Sequence, residues 1–95
     1  MDRSLLQEDA ITEALESMDG WTFTGGALEA TFIFESFVAA FGWMTQAALV
    51  AEKMDHHPDW SNVYRTVNVT LRTHDAGGVT ALDLTLARVM SELPV

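Results

Sequence analysis

The amino-acid sequence predicts an α+β domain with helices on one face of an antiparallel sheet, in the order α-β-β-α-β-β-α. Three observations carry this. Apolar residues recur at helical spacing in an early, a central and a final segment. Residues Ala27 to Phe34 show two-residue alternation, and a second run rich in β-branched residues spans Trp60 to Thr73. Gly-rich pairs punctuate these runs where turns are needed.

In the first segment, Leu5 to Met18, the apolar residues Leu6, Ala10, Ile11, Ala14, Leu15 and Met18 are helically spaced. Glu8, Asp9, Thr12, Glu13 and Glu16 fall on the other face. Ser4 and Gln7 have the spacing of a capping box, and Asp19-Gly20 is the expected stop. Trp21 to Thr24 and Ala27 to Phe34 read as a hairpin around Gly25-Gly26. Its second strand puts Leu28, Ala30, Phe32 and Phe34 on one face and Glu29, Thr31 and Ile33 on the other.

Ser36 is placed to cap a long helix running to about Met54. This helix is apolar nearly all round, which predicts cover on both sides. Gly42 in its middle predicts a close approach by a neighbouring element. Asp55 to Asp59 reads as a loop. Beyond it Val63, Val67, Val69 and Leu71 are expected on one face, and the break at Arg65-Thr66 is either a tight turn or an irregularity in one strand. Asp75-Ala76-Gly77-Gly78 is a turn. Thr80 and Asp83 form a second candidate capping box for a last helix, Ala81 to about Leu93, with Leu82, Leu86, Val89, Met90 and Leu93 as its buried stripe.

The 95 residues fit one domain, 1–95, with no internal repeat or linker. A hydrophobic share of 48% on so small a body predicts that some apolar surface is buried against another subunit, hence a homo-oligomer. The formal charge of −9 argues against nucleic acid or an anionic membrane as a direct partner, because both need a basic face. With no cysteine, thiol catalysis and thiolate metal sites are excluded. The start Met1-Asp2-Arg3-Ser4 has no basic region followed by an apolar run, so no secretory signal is expected and a cytoplasmic location is. The apolar stretch Phe37 to Ala51 is too short to span a bilayer, which takes about 20 residues.

The chemistry-bearing residues are the histidines. His56 and His57 are adjacent in the loop after the long helix, and Pro58 pushes His57 into extended geometry. His74 ends the second strand region. If Trp60 to Thr73 folds back on itself, all three imidazoles fall at one edge, and Glu52, one turn before His56, faces the same place. Imidazole gives and takes protons near neutral pH, and two in one site run acid and base steps together, as a dehydration requires. A structural role for the histidines is the plain alternative. A metal set of His56, His57, His74 and Asp83 is disfavoured because adjacent histidines converge on one ion only with strain.

Glu52-Lys53-Met54-Asp55-His56-His57-Pro58-Asp59-Trp60-Ser61-Asn62-Val63-Tyr64, followed by Thr73-His74-Asp75-Ala76-Gly77-Gly78-Val79-Thr80 and Asp83, resembles the signature of the pterin-4a-carbinolamine dehydratases. The likeness extends back through Phe41-Gly42-Trp43-Met44-Thr45 and Phe32-Ile33-Phe34 to Gly20-Trp21. Arg65 stands where the family often has Asn, and Asp19 where it often has Pro. The resemblance implies a four-stranded antiparallel sheet with three helices, and therefore the hairpin break. It implies loss of water from 4a-hydroxytetrahydrobiopterin to give quinonoid dihydrobiopterin, recycling the pterin of aromatic amino-acid hydroxylases, in a homodimer or homotetramer and with no metal or cofactor. His56, His57 and His74 are the implied catalytic residues. Thr73, Asp75 and Ala76 are expected to line the pterin, Pro58 and Trp60 to border its ring, and Glu52 and Asp83 to orient histidines or contact substrate.

Plainer roles stand beside these. Asp83 serves equally as a capping acid, Glu52 as a solvated helix residue and Trp60 as packing. Two other functions compete. One is a non-catalytic interaction module, since relatives of this family act as a dimerisation cofactor of a homeodomain transcription factor or in enzyme assembly. The other is a dehydratase-like protein acting on another pterin, such as that of the molybdenum cofactor. Retention of all three histidines favours the enzyme.

Overall fold

The computed structural model describes residues 2–95; Met1, the first residue of the expected domain, lies outside the described residues. The elements are α1 (Glu8–Leu15), β1 (Thr22–Thr24), β2 (Ala27–Ile33), α2 (Phe37–Met54), β3 (Asp59–Val63), β4 (Thr66–Leu71) and α3 (Ala81–Glu92), with a 3-10 turn at His74–Ala76. The strands form one four-stranded sheet in the order β1-β2-β4-β3, antiparallel throughout. The predicted α+β class and element order hold.

The two hairpins turn differently. Gly25 and Gly26 have φ of +60° and +78°, the doubly positive pair that matches the twist of flanking strands and that glycine adopts without strain. The β3–β4 turn falls at Tyr64-Arg65, one residue before the expected break, with Val63 paired to Thr66. Tyr64 takes φ +54°, and the Asn62 side-chain amide holds the turn by donating to the Tyr64 and Thr66 carbonyls. This register corrects one expectation. Val63 does not share the buried face of Val67, Val69 and Leu71 but is 74% exposed, because pairing with Thr66 turns it to the open side of the sheet.

The covered face of the sheet carries the core. Leu28, Ala30 and Phe34 of the β2 run meet Val67, Val69 and Leu71 of β4, with Trp43, Ala47 and Ala51 of α2 and Leu86, Ala87 and Met90 of α3 packed against them. Trp43 stacks at a tilt on Phe32 with centroids 4.5 Å apart, and its indole N–H donates to the Met90 carbonyl. That bond and the Trp21 indole bond to Ser91 fasten α3 to the rest of the core. Of the expected α3 stripe Leu82, Leu86 and Met90 are buried and are joined by Leu84 and Ala87, whereas Val89 and Leu93 are half-buried.

Two helices depart from expectation. α1 begins at Glu8, and the Ser4–Gln7 capping box does not form; Gln7 is itself the extended N-cap. The Ser4 N–H, which a capping box would give to the Gln7 side chain, donates instead to Asp2 Oδ1 at 2.8 Å, and the Leu6 N–H donates to the Val79 carbonyl at 2.9 Å, which holds the preceding residues beside the 77–79 segment. Ala10, expected on the inner face, is exposed. In α2, Ser36 caps as expected by accepting from the Ala39 N–H. Cover comes from one side only, however: Ala40, Trp43, Ala47 and Ala51 are buried, whereas Phe37, Val38, Phe41 and Leu49 are exposed. A Cβ at Gly42 would meet nothing within 4 Å, so the neighbour its presence predicted is not found among the described residues. Among the described residues no helix is long and apolar enough to cross a membrane.

Candidate functional site

The sheet brings the histidines together. Asp59 at the start of β3 pairs with Thr70 near the end of β4, so the entrance to one strand and the exit of the other share an edge. His56, His57 and Pro58 lead into β3, and His74 follows β4. α2 stops because Asp55 takes the left-handed conformation (φ 53°, ψ 43°), its N–H and that of His56 returning to carbonyls of the last turn. On the other side, Thr73 N–H donates to the Gly78 carbonyl at 2.8 Å, and Gly77 at φ +79° closes the 3-10 turn that carries His74.

Between these loops lies an open cleft of about 440 Å³. All three histidines line it, together with Pro58 and Asp75 from the expected set. Arg3, Asp55, Asp59 and Arg72 line it too and were not anticipated. Asp55, Asp59 and Arg72 are chain neighbours of the motif residues, a signal the sequence did offer. Arg3 lies more than fifty residues from the nearest histidine, and nothing local marks it.

Behind the cleft is a buried polar network. Asp83 is fully buried at the start of α3. One carboxylate oxygen, Oδ2, accepts from the Thr80 N–H at 2.9 Å and from the Thr73 hydroxyl at 2.9 Å. The other, Oδ1, is 2.6 Å from His56 Nε2. Since Thr73 gives its only hydroxyl proton to Asp83, the 2.8 Å contact between the two threonines is a donation from Thr80 to Thr73. A carboxylate that accepts on both oxygens assigns the Nε2 proton to His56, leaving Nδ1 as the ring nitrogen not used internally. Thr80 and Asp83 also make both bonds of the capping box of α3. The capping and orienting roles of Asp83 therefore coexist. Among the described residues no buried side-chain N or O atom lacks a partner, so the network is closed.

The remaining expected residues fall into place around this frame. Glu52 does not line the cleft but lies 2.7 Å from His57 Nε2, an exposed pair one helical turn from the motif. Thr73 is buried in the network, and Trp60 is half-buried with its ring 6.4 Å from Trp43. Ala76 sits in the 3-10 turn beside the cleft lining. Asp75 is exposed, and its carboxyl is held below the usual carboxylate range chiefly by a hydrogen bond from Arg3 and next by its own backbone N–H. Among the described residues no group of three or more His, Asp or Glu is placed to hold a metal ion.

Fold and cleft together define a small α+β protein with a histidine-lined polar site at one edge of its sheet. The family described as Pterin 4 alpha carbinolamine dehydratase matches residues 4–93. A relative from Mesorhizobium japonicum, named "Putative pterin-4-alpha-carbinolamine dehydratase", is 57% identical over 93 residues, covering 96% of this chain and 95% of the relative. A relative of the same name from Bradyrhizobium diazoefficiens is 58% identical over 90 residues, covering 93% and 90%. A crystal structure described as a transcriptional coactivator/pterin dehydratase from Brucella melitensis superposes with a TM-score of 0.87 at 51% identity, covering 90% of this chain and 94% of that one. The chain belongs to the pterin 4 alpha carbinolamine dehydratase family.

Proposed function

We propose that this chain is a hydro-lyase that removes water from 4a-hydroxytetrahydrobiopterin by histidine acid–base catalysis. The observation that carries the reading is the convergence of His56, His57 and His74 on one cleft, two of them bonded to carboxylates. Dehydration needs a proton delivered to the departing C4a hydroxyl and one removed from N5; water leaves and the quinonoid dihydropterin remains. Asp83 and Glu52 compensate the charge of a protonated ring, which suits His56 or His57 to the acid role. His74, with no carboxylate partner for its side chain among the described residues, is the base. Pro58 and Asp75, with the backbone of Ala76, border the pterin. Thr73, Trp60, Glu52 and Asp83 support the site from behind or beside it. Asp83 acts through His56 and is a positioning residue.

The whole of residues 1–95 acts as one cytoplasmic unit that associates with further copies of itself through the uncovered face of α2, where Phe37, Val38, Phe41 and Leu49 are exposed. The same face supports the second reading, an interaction module that needs no histidine. The description of the Brucella protein as a coactivator as well as a dehydratase keeps that reading in view. The deciding measurement is dehydration of 4a-hydroxytetrahydrobiopterin against pH. A rate well above buffer, falling on both sides of an optimum, supports the enzyme. A rate equal to buffer leaves the interaction module.

A further inference from the structure

Arg3 lies just outside residues 4–93, so the family match assigns it nothing. Its guanidinium nevertheless lines the histidine cleft. Three contacts bring it there. The Leu6 N–H donates to the Val79 carbonyl at 2.9 Å. Leu5 packs over Gly78, where an added Cβ would stand 2.7 Å from Leu5 Cδ1. Arg3 Nη2 lies 3.3 Å from Asp75 Oδ1. The segment before α1 is therefore strapped along the loop that carries His74. It ends with a cation at the mouth of the site, in a chain that has only five basic residues.

We propose that Arg3 is a substrate-binding residue, carried into the cleft by this strap. The proposal rests on the dehydratase reading. A guanidinium presents five N–H donors in a rigid plane and accepts nothing. The Asp75 bond uses one nitrogen, Nη2, and more than half of Asp75 and nearly half of the Arg3 side chain remain in water. Arg3 lines a cleft whose histidines are occupied with proton transfer in the proposed reaction. It gives its remaining donors to an oxygen acceptor on the substrate, on an edge away from the reacting C4a and N5 atoms. The contact is made alike in ground and transition states, so it sets affinity rather than the rate of the chemical step.

The test is steady-state dehydration of 4a-hydroxytetrahydrobiopterin by wild type, Arg3→Ala and Arg3→Lys. The paired titration is with 7,8-dihydrobiopterin, which lacks the 4a-hydroxyl and so cannot be dehydrated. Arg3→Ala is expected to raise KM and the dihydropterin Kd about 3- to 10-fold, the span of one hydrogen bond, with kcat within twofold. Arg3→Lys keeps the charge but not the planar fork, and recovers only part of the loss. A fall in kcat with KM unchanged overturns the contact, because Arg3 would then act through Asp75 and His74. Wild-type KM and Kd in Arg3→Ala overturn it as well. A wild type no faster than buffer removes the dehydratase reading, and this contact with it. An active wild type with an indifferent Arg3→Ala removes the contact alone. The Arg3–Asp75 pair is exposed, and losing such a pair changes stability little, so the variant remains folded.

Discussion

Replacing Asp83 by asparagine keeps the shape of the buried network and changes its proton logic. The Thr80 N–H can only donate, so the amide oxygen of the new side chain must occupy the Oδ2 position. The amide NH₂ then faces His56 Nε2, where the carboxylate used to accept at 2.6 Å. His56 has to surrender its Nε2 proton and carry it on Nδ1, the nitrogen left for the cleft. The ring also loses the negative charge that supports its protonated form. A misplaced acid or base costs about 10²–10⁴-fold in turnover, or about 3–5 kcal/mol of barrier. The stability cost is smaller, about 1–3 kcal/mol for a weakened charge-assisted bond. Against a total stability of about 5–15 kcal/mol, that leaves the variant at least about nine-tenths folded. Unfolding therefore cannot account for a hundredfold loss of rate. The assay pairs turnover with urea unfolding and with ¹⁵N NMR of the His56 ring. Wild-type turnover in Asp83→Asn, or an Nε2 proton still present on His56, would refute the reasoning.

Other expectations follow from the same geometry. His56→Ala, His57→Ala and His74→Ala should each lose about 10²–10⁴-fold in turnover while retaining cooperative unfolding; near-wild-type rates in all three would remove the acid–base proposal. Phe41→Glu puts a charge on the uncovered face of α2, and sedimentation should show smaller particles than wild type. In that Phe41→Glu background, Gly42→Ala should gain about 0.8–1 kcal/mol in urea unfolding, since a helical alanine replaces glycine and its Cβ meets nothing. In Arg3→Ala the Asp75 carboxyl, now held low by Arg3, should titrate closer to its ordinary value of 3.8 in ¹³C NMR. The sign follows from the depressed pKa: the Arg3–Asp75 bond contributes above the unfolded carboxyl pKa and is lost as pH falls through the folded one.

The helix and strand pattern was legible wherever one periodicity ruled without a rival. β2 alternated from Leu28 onward, and Ser36, Thr80 and Asp83 signalled helix starts that formed as read. The misreadings arose where another hydrogen-bond partner or a turn overrode the spacing of the residues. Ser4 and Gln7 had capping-box spacing, but Asp2 Oδ1 took the Ser4 N–H, and the Val79 carbonyl, more than seventy residues away, holds the Leu6 N–H. Val63 fitted the apolar alternation of its run, yet a two-residue turn reset the face. In the site, the local motif exposed His56, His57, Pro58, His74 and Asp75. The Thr73–Thr80–Asp83 chain behind His56 was only half visible, because a capping box looks the same whether or not its acid has a third partner. Arg3 was invisible because only the folded chain brings it near residue 75.

The β3–β4 hairpin works as a measuring tape. Its two arms set how far His57 stands from His74, and each residue along an arm is worth about 3.3 Å. A single-residue insertion within either arm would slide one histidine loop past the other; within β4 it would also turn an inward-facing valine to the open side, and within β3 it would turn Trp60 outward. The bend at Tyr64-Arg65 lies at the opposite end from the cleft. Added length there bulges outward without disturbing the tape, which makes that bend the natural place to graft a tag or a reporter dye onto a working molecule.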